Sequence, residues 1–451
     1  MTRLNKRIRI GAGSGFQGDR LEPAVILASQ GALDYIALEC LAERTIALAQ
    51  LRKLADPGAG YDPLLEKRLG ALLPVCKRNG VRIVTNMGAA NPLAAGRRVL
   101  ELSRSLNLKV KVAVVTGDDV LSLLEPAMKT IEARGAPLSE YGEIVSANAY
   151  LGAEEMLPAL ATGADVVITG RVADPSLFVA PLAHAFGWKL DDWERLGRAT
   201  AIGHLLECAG QLTGGYFAEP GLKDIPDMAH LGFPWCEADA DGNGVLGKVP
   251  GTGGAITMRT AKEQLLYEVT DPGGYVTPDV VADFSSISIN ELGKDCVAVC
   301  GGTGRRRTDT YKVSVGYRAG FVGEGEISYA GARALERANL AAQIVRERLR
   351  DHVPDMRTDL IGVDSAHRGN FGHPHTPYEV RLRIAARTKT RELAELVGAE
   401  VEALWINGPA GGGGVRRYAQ ERIGVVSLLL ERSRVRPAVT LLEGDRETQA
   451  A

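Results

Sequence analysis

Residues 62–86 read DPLLEKRLGALLPVCKRNGVRIVTN, and the change of period inside this stretch decides the fold. Its first part is amphipathic at helical spacing, and its last part, VRIVTN, is a short β-branched run. The same alternation recurs from residue 7 to about 170, where RIRIG, LDYIAL, VKVAVVTG, GEIVSAN and ADVVITG are separated by longer amphipathic segments. Apolar runs that lack a polar alternate face indicate strands buried on both sides. The sequence therefore predicts an α/β fold with a mostly parallel sheet and flanking helices in the N-terminal half, open rather than closed into a barrel.

Around residues 218–255 the chain turns rich in Gly, Pro and Asp, and beyond it come antiparallel-type runs (DCVAVCGG, TYKVSVGYRAGFVGEGEISYAG) and an amphipathic helix, ALERANLAAQIVRERL. Strand, helix and strand follow in YEVRLRIAAR, TRELAELVGA and VVSLLLER, an α+β second region, and the tail EGDRETQAA reads as frayed. The expected organisation is an α/β domain over 1–250 with a substrate site at its strand ends, and an α+β domain over 251–451 carrying Gly/Arg loops.

A length of 451 residues fits two domains, and 45% hydrophobic with 24% charged residues excludes a disordered chain. A net charge of −2 gives no field for nucleic acid, so a small, roughly neutral partner is expected. No apolar stretch is long enough to span a bilayer or to act as a leader, which predicts a soluble, cytoplasmic protein with no membrane partner. The six cysteines are scattered, without C-x-x-C pairs, and read as buried thiols.

The sharpest short motif is GSGFQG at 13–18, a G-x-G-x-x-G after a strand, with Glu39 where a ribose-binding acid would stand. Pro23 argues that the helix starts only near residue 22, whereas a dinucleotide fingerprint needs its third glycine inside the helix. The loop glycines with Gln17, Asp19 and Arg20 then line a substrate site at the carboxyl edge of the sheet. Other polar groups stand at comparable strand ends: Asn86, Asp118 and Asp119, Asn148, and Arg171. Asp174 before Pro175 reads as a helix cap, while a guanidinium at the Arg171 position suits a forked grip on a carboxylate or thioester oxygen.

Elsewhere, GGTGRRR (301–307) and PAGGGGVRR (409–417) combine backbone N–H donors with arginines, among them Arg416 and Arg417, and so suit an anion. DADGNG (239–244) copies half of a calcium loop but has Pro250 where the bidentate Glu belongs, so a solvated turn is expected. GHLLECAGQLTGGYF (203–217) places His204, Glu207 and Cys208 within one helical turn, ringed by glycines that let a substrate approach. No second histidine completes a zinc set there, and HRGNFGHPH (367–375) reads as a surface loop with metal binding a minor alternative.

Taken in order, GSGFQGDR, RVADPSLF, GHLLECAGQLTGGYF and PGTGGAITM resemble the acyclic terpene utilisation family over about residues 7–430. The resemblance implies carboxylic-acid or acyl-CoA catabolism, with a lyase acting on a branched 3-hydroxyacyl thioester as the activity suggested for the namesake. Many relatives carry an extra C-terminal ferredoxin-like domain or work beside a short protein of that type. The resemblance thus implies a small ferredoxin-like partner protein, a homo-oligomer, or both.

The residues and the resemblance together predict a carbon-carbon or carbon-oxygen lyase, by retro-aldol cleavage or loss of water, acting on a branched 3-hydroxy acid or its CoA thioester. His204 or Glu207 is the expected base and Arg171 the carbonyl holder. Gln17, Asp19, Arg20, Asn86, Asn148, Arg416 and Arg417 are the expected substrate-binding residues. No cofactor and no tight metal are expected. The rival readings are an NAD(P)-dependent oxidoreductase using the GSGFQG loop with Glu39, and a non-catalytic acyl-CoA-binding subunit.

Overall fold

The structure, a computed structural model, describes residues 6–132, 135–367, 377–444 and 446–450. The expected strands form as β1 (Ile8–Ser14), β2 (Tyr35–Leu38), β3 (Arg82–Thr85), β4 (Lys111–Thr116), β5 (Ile144–Ala149) and β6 (Val166–Thr169). Between and beyond them lie helices α1 (Glu22–Gln30), α2 (Glu43–Ala55), α3 (Leu65–Asn79), α4 (Pro92–Ser105), α5 (Ala153–Ala161), α6 (Ser176–Phe186) and α7 (Trp193–Glu207). The stretch at 62–86 behaves as its period predicts. Leu65, Leu69, Leu72, Leu73 and Cys76 are the buried stripe of α3, and β3 follows with Ile83 and Val84 buried.

Five of these strands run parallel in the order β1-β2-β3-β6-β4. Every residue of β2 and of β6 is buried, as strands covered on both faces must be. β5 departs from the expected series. It pairs instead with the long β14 (Thr310–Ala330), because Ser146 and Asn148 give it a polar character that a central parallel strand lacks.

The sheet continues past β1 through β7 (Pro234–Ala238), β8 (Gly244–Lys248), and then, beyond β9 (Tyr275–Val276) and β10 (Val281–Asp283) in sequence, β12 (Cys296–Cys300) and β11 (Ser288–Gly293). At the other edge β18 (Ala438–Glu443) pairs antiparallel with β4 and is covered in turn by β19 (Arg446–Ala450). A small second sheet joins β13 (Thr303–Arg305), β10 and β9, and α8 (Met258–Leu266) precedes it in the chain. The result is an open mixed sheet whose parallel centre is the part the sequence foretold.

The chain separates into two compact units, one of residues 1–140, 144–316 and 425–451, the other of 141–143 and 317–424. The expected division after residue 250 is therefore displaced. The Gly/Pro-rich stretch that suggested it contains the β7–β8 hairpin, which pairs with β1 and so stays within the first unit. Pairing between strands hundreds of residues apart leaves no mark in local composition.

The second unit runs β14, α9 (Ala334–Leu349), β15 (Met356–Ile361), β16 (Glu379–Thr388), α10 (Arg391–Asn407), β17 (Gly413–Glu431), with β14 and β17 each contributing one end to it. Its strands order β15-β16-β14-β17, which is the ferredoxin-like βαββαβ arrangement. This plait lies inside the chain, not in a C-terminal extension of the kind the resemblance implies for relatives. The ALERANLAAQIVRERL segment is α9, and its apolar stripe (Ala338, Ala341, Val345, Leu349) packs on Leu382, Ile384 and Val397 of the same unit. The apolar face of this amphipathic helix is thus core. Among the described residues no helix is long and apolar enough to cross a membrane.

Candidate functional site

Parallel strands end at one edge of a sheet, and ligands of open α/β sheets bind beside that edge. Here it gathers Ser14 from β1, Glu39 after β2, Asn86 after β3, Arg171 after β6 and Asp118 after β4. Helix α7, capped by Asp192 accepting from the Arg195 N–H, brings up His204 and Glu207 at its end. Two glycines permit this approach. A Cβ on Gly203 would lie 2.7 Å from the Pro175 carbonyl oxygen, and one on Gly15 would lie 2.6 Å from the carbonyl carbon of Cys208. Only bare backbone lets α7 sit against the β1 loop and the start of α6.

The pocket so formed has a volume of about 880 Å³ and is walled by Gln17, Asp19, Arg20, Glu39, Glu207 and Cys208, among others. His204 Nδ1 and Glu207 Oε1 share a hydrogen bond of 2.8 Å. His204 is 1% exposed, and neither its Nε2 nor Glu207 Oε2 has a hydrogen-bond partner among the described residues. Buried polar atoms are almost always paired, and of these two residues Glu207 lines the pocket, which makes its carboxyl a candidate contact for a bound group. The imidazole packs against the rings of Tyr275 and Phe284, at centroid distances of 5.2 and 5.9 Å. Burial pushes the Glu207 carboxyl up to about 7 against the pull of its His204 hydrogen bond, and the Asp174 and Glu268 carboxylates push the same way.

Arg171 is where the sequence placed it, at a strand end, but its guanidinium is enclosed. It is 1% exposed, donates to the Leu41 carbonyl and to Asp174 Oδ1 (2.5 Å), and stacks 4.1 Å from the Tyr150 ring. Asp174 is not a cap: the residue flanking α6 is Pro175, and no side chain caps that helix. Asp174 and Glu43 line both the large pocket and a second one of about 510 Å³. Burial works to raise the Glu43 carboxyl, yet the Tyr150 hydroxyl that donates to it and the Arg171 charge bring it down to about 2. Lys312 Nζ lies 3.3 Å from the same carboxylate. Arg171 therefore anchors a carboxylate partition and acts through Asp174 and Glu43.

Asn86 and Asn148, expected on the substrate, are buried brackets beneath it. Asn86 Nδ2 donates to Glu39 Oε1 (3.0 Å) while its Oδ1 accepts from the Cys40 N–H (2.8 Å). The Leu41 N–H also donates to Glu39 Oε1, at 2.8 Å. Burial, reinforced by Asp174, holds the Glu39 carboxyl well above the usual range, and the group lines the pocket. Asn148 Nδ2 and the Arg171 N–H both donate to Asp118 Oδ2 at 2.9 Å, and burial pushes Asp118 up to about 6.

The glycine loop is a wall of the pocket, built without the geometry of a pyrophosphate cradle. Helix α1 begins at Glu22, past Gly18, and its first turn carries that acidic side chain. Asp19 accepts from the Gly15 and Arg20 N–H groups at 2.8 Å each, which closes the loop on itself. Gln17 reaches Asp62 (3.3 Å), and Arg20 pairs with Glu22 and donates to the Ala229 carbonyl. From below, the fully buried Arg68 donates to the carbonyls of Gln17 and Asp19.

The other arginine loops lie elsewhere. Arg416 and Arg417 belong to the second unit, are exposed, and Arg417 pairs with Glu402. The PAGGGG carbonyls of Ala410 and Gly414 accept from Arg337 and Arg381, so that loop presents carbonyls to arginines. In the first loop Arg306 and Arg307 are paired with Asp309 and Glu154. DADGNG is the β7–β8 hairpin turn, with Asp239 accepting from Asp241 and Asn243 N–H groups. Apart from His367, the histidine loop lies outside the described residues. Among the described residues no three His, Cys, Asp or Glu side chains converge as a metal set.

Glu43, Tyr150, Tyr275 and Lys312 escaped the sequence reading, and Glu39 entered it only as a ribose acid. Glu39 and Glu43 were within reach, since both follow the carboxyl end of β2. Tyr275 and Lys312 come from distant segments with no motif around them. The family model described as acyclic terpene utilisation family protein AtuA matches residues 8–441. No curated protein and no solved structure matches.

Proposed function

The chain belongs to the acyclic terpene utilisation family, and from that premise and the site we propose that it is a lyase acting on a 3-hydroxyacyl thioester. The observation that carries this reading is the buried His204–Glu207 pair, hydrogen-bonded on one side and unmatched on the other, with Glu207 at the wall of a pocket that Glu39 also lines. Lyase chemistry of this kind needs a base and an acid in reach of one substrate, and burial of Glu39 favours its protonated form for the acid.

In the C–C reading the pair takes the hydroxyl proton, the C2–C3 bond breaks toward the thioester, and C2 is then protonated. In the C–O reading the pair takes a C2 proton, the C3–O bond breaks, and the hydroxyl leaves as water with a proton from the acid. Both routes place negative charge on the thioester oxygen. The Glu39 acid serves there as hydrogen-bond donor, replacing Arg171 in that role, and the Tyr275 hydroxyl beside His204 is a second donor. The pocket wall is predominantly acidic, with Asp19, Glu39, Glu43, Asp174, Glu207 and Glu268 against Arg20. Arg20 is already paired with Glu22, so the wall favours the uncharged thioester carbonyl over a free carboxylate in that position.

The test is turnover of a panel of 3-hydroxyacyl thioesters and free 3-hydroxy acids, with products read by mass spectrometry. His204→Ala and Glu207→Gln are expected to lose about 100- to 10,000-fold in kcat/KM. Turnover by both variants at the wild-type rate overturns the assignment. A homo-oligomer and a small ferredoxin-like companion remain part of the proposal, checked by mass and turnover after co-expression.

A further inference from the structure

Behind the Glu43–Asp174 partition lies the second pocket, of about 510 Å³, within the range of small-molecule sites. Glu43 and Asp174 stand at the shared wall with Lys312 next to Glu43, Thr277, Thr308 and Thr310 add hydroxyls, and Pro175, Val276, Pro278 and Leu429 supply apolar surface. Two of its three tyrosines have engaged hydroxyls: Tyr150 donates to Glu43 and Tyr311 to Glu155. What those two offer a ligand is ring surface. The third, Tyr275, has no hydrogen-bond partner among the described residues and packs against His204. Val276 is 60% and Leu429 56% exposed, large apolar side chains left in contact with water at one pocket.

A chamber that shares Asp174 and Glu43 as wall residues with the proton-transfer pocket, and that carries exposed apolar side chains, has one fitting occupant: the aliphatic part of the molecule whose polar end reacts next door. We infer that this second pocket is an acyl-chain subsite, taking an uncharged aliphatic chain, while the thioester and hydroxyl stay on the Glu207 side. The inference rests on the proposed reaction for the identity of the whole substrate, but the chamber's affinity for aliphatic chains stands apart from any turnover. A chain at the shared wall meets carboxylates held by Arg171, Tyr150 and Lys312, and beyond them the apolar surface of Pro175, Val276, Pro278 and Leu429.

The experiment is calorimetric titration of the full-length protein with neutral n-alcohols from butanol to octanol, which carry no reactive group. Affinity is expected to rise about fourfold per added methylene over roughly four to eight carbons. Leu429→Trp and Val276→Trp, at exposed positions that tolerate size, are expected to flatten the series for the longer alcohols. Leu222→Trp, at an exposed apolar site outside the pocket, is the control and leaves it unchanged. A flat series with the wild type, or a rising one untouched by both pocket variants, overturns the subsite. Rising affinity with no turnover of any hydroxyacyl compound leaves the subsite standing and removes the lyase reading, whereas turnover with a flat series does the reverse.

Discussion

Replacing Gly15 by alanine tests whether the GSGFQG loop exists to let α7 come close. An ideal Cβ there lies 2.6 Å from the carbonyl carbon of Cys208 and 2.8 Å from its Cα and O, where ordinary contact begins at 3.4 Å. The clash is with backbone, so no side chain can swing away, and loop and helix end must part by about 3.4 − 2.6 = 0.8 Å. Overpacking of this kind costs about 1–3 kcal/mol, which lowers the melting temperature by roughly 2–10 °C. Glu207 precedes Cys208 directly, so the same displacement moves the proton-transfer pair off its geometry. A shift near 1 Å at a reacting group costs on the order of 100-fold in rate. Thermal melting and turnover of a 3-hydroxyacyl thioester read the two effects. A variant that melts with the wild type and loses only NADH binding refutes the close-approach account and favours a nucleotide loop.

Asp118→Asn retains an oxygen able to accept from Asn148 and the Arg171 N–H while removing a titration. The folded state holds the Asp118 proton between the ordinary aspartate value and about 6, so stability from this group falls as pH rises through that window and is constant above it. The asparagine variant is expected to melt with a flatter dependence between pH 4 and 6, and an unchanged slope counts against a buried, proton-holding Asp118. Tyr275→Phe keeps the ring against His204 and removes the hydroxyl. It is expected to lose about 100-fold in kcat with melting unchanged, and full activity would remove Tyr275 from the site.

The parallel centre of the sheet was legible because β2, β3 and β6 are short apolar runs buried on both faces, with amphipathic helices between them. The antiparallel flanks were not, since what places β7 beside β1 or β18 beside β4 is pairing across long sequence separations. His204 and Glu207 could be read as a pair from helical spacing, and the strand-end rule found Arg171, Asn86 and Asn148. That rule fixes where a residue stands and not which way it faces. Asn86 and Asn148 proved to hold Glu39 and Asp118, and Arg171 to hold Asp174. Lys312 reaches Glu43 from a strand more than two hundred residues away, and no local pattern announces it.

The central claim is that the His204–Glu207 pair moves a proton on a 3-hydroxyacyl thioester. In the C–C route C2 takes its new hydrogen from solvent, and in the C–O route the C2 hydrogen is lost to solvent and returned as deuterium by the reverse hydration, so proton NMR of a 3-hydroxyacyl thioester brought to equilibrium with the protein in D₂O tests both. Deuterium at C2 of product or recovered substrate, catalysed by the wild type and lost in Glu207→Gln, is the predicted result. Incorporation at the wild-type rate in Glu207→Gln and His204→Ala, or turnover with no deuterium at C2 of product or recovered substrate, contradicts it.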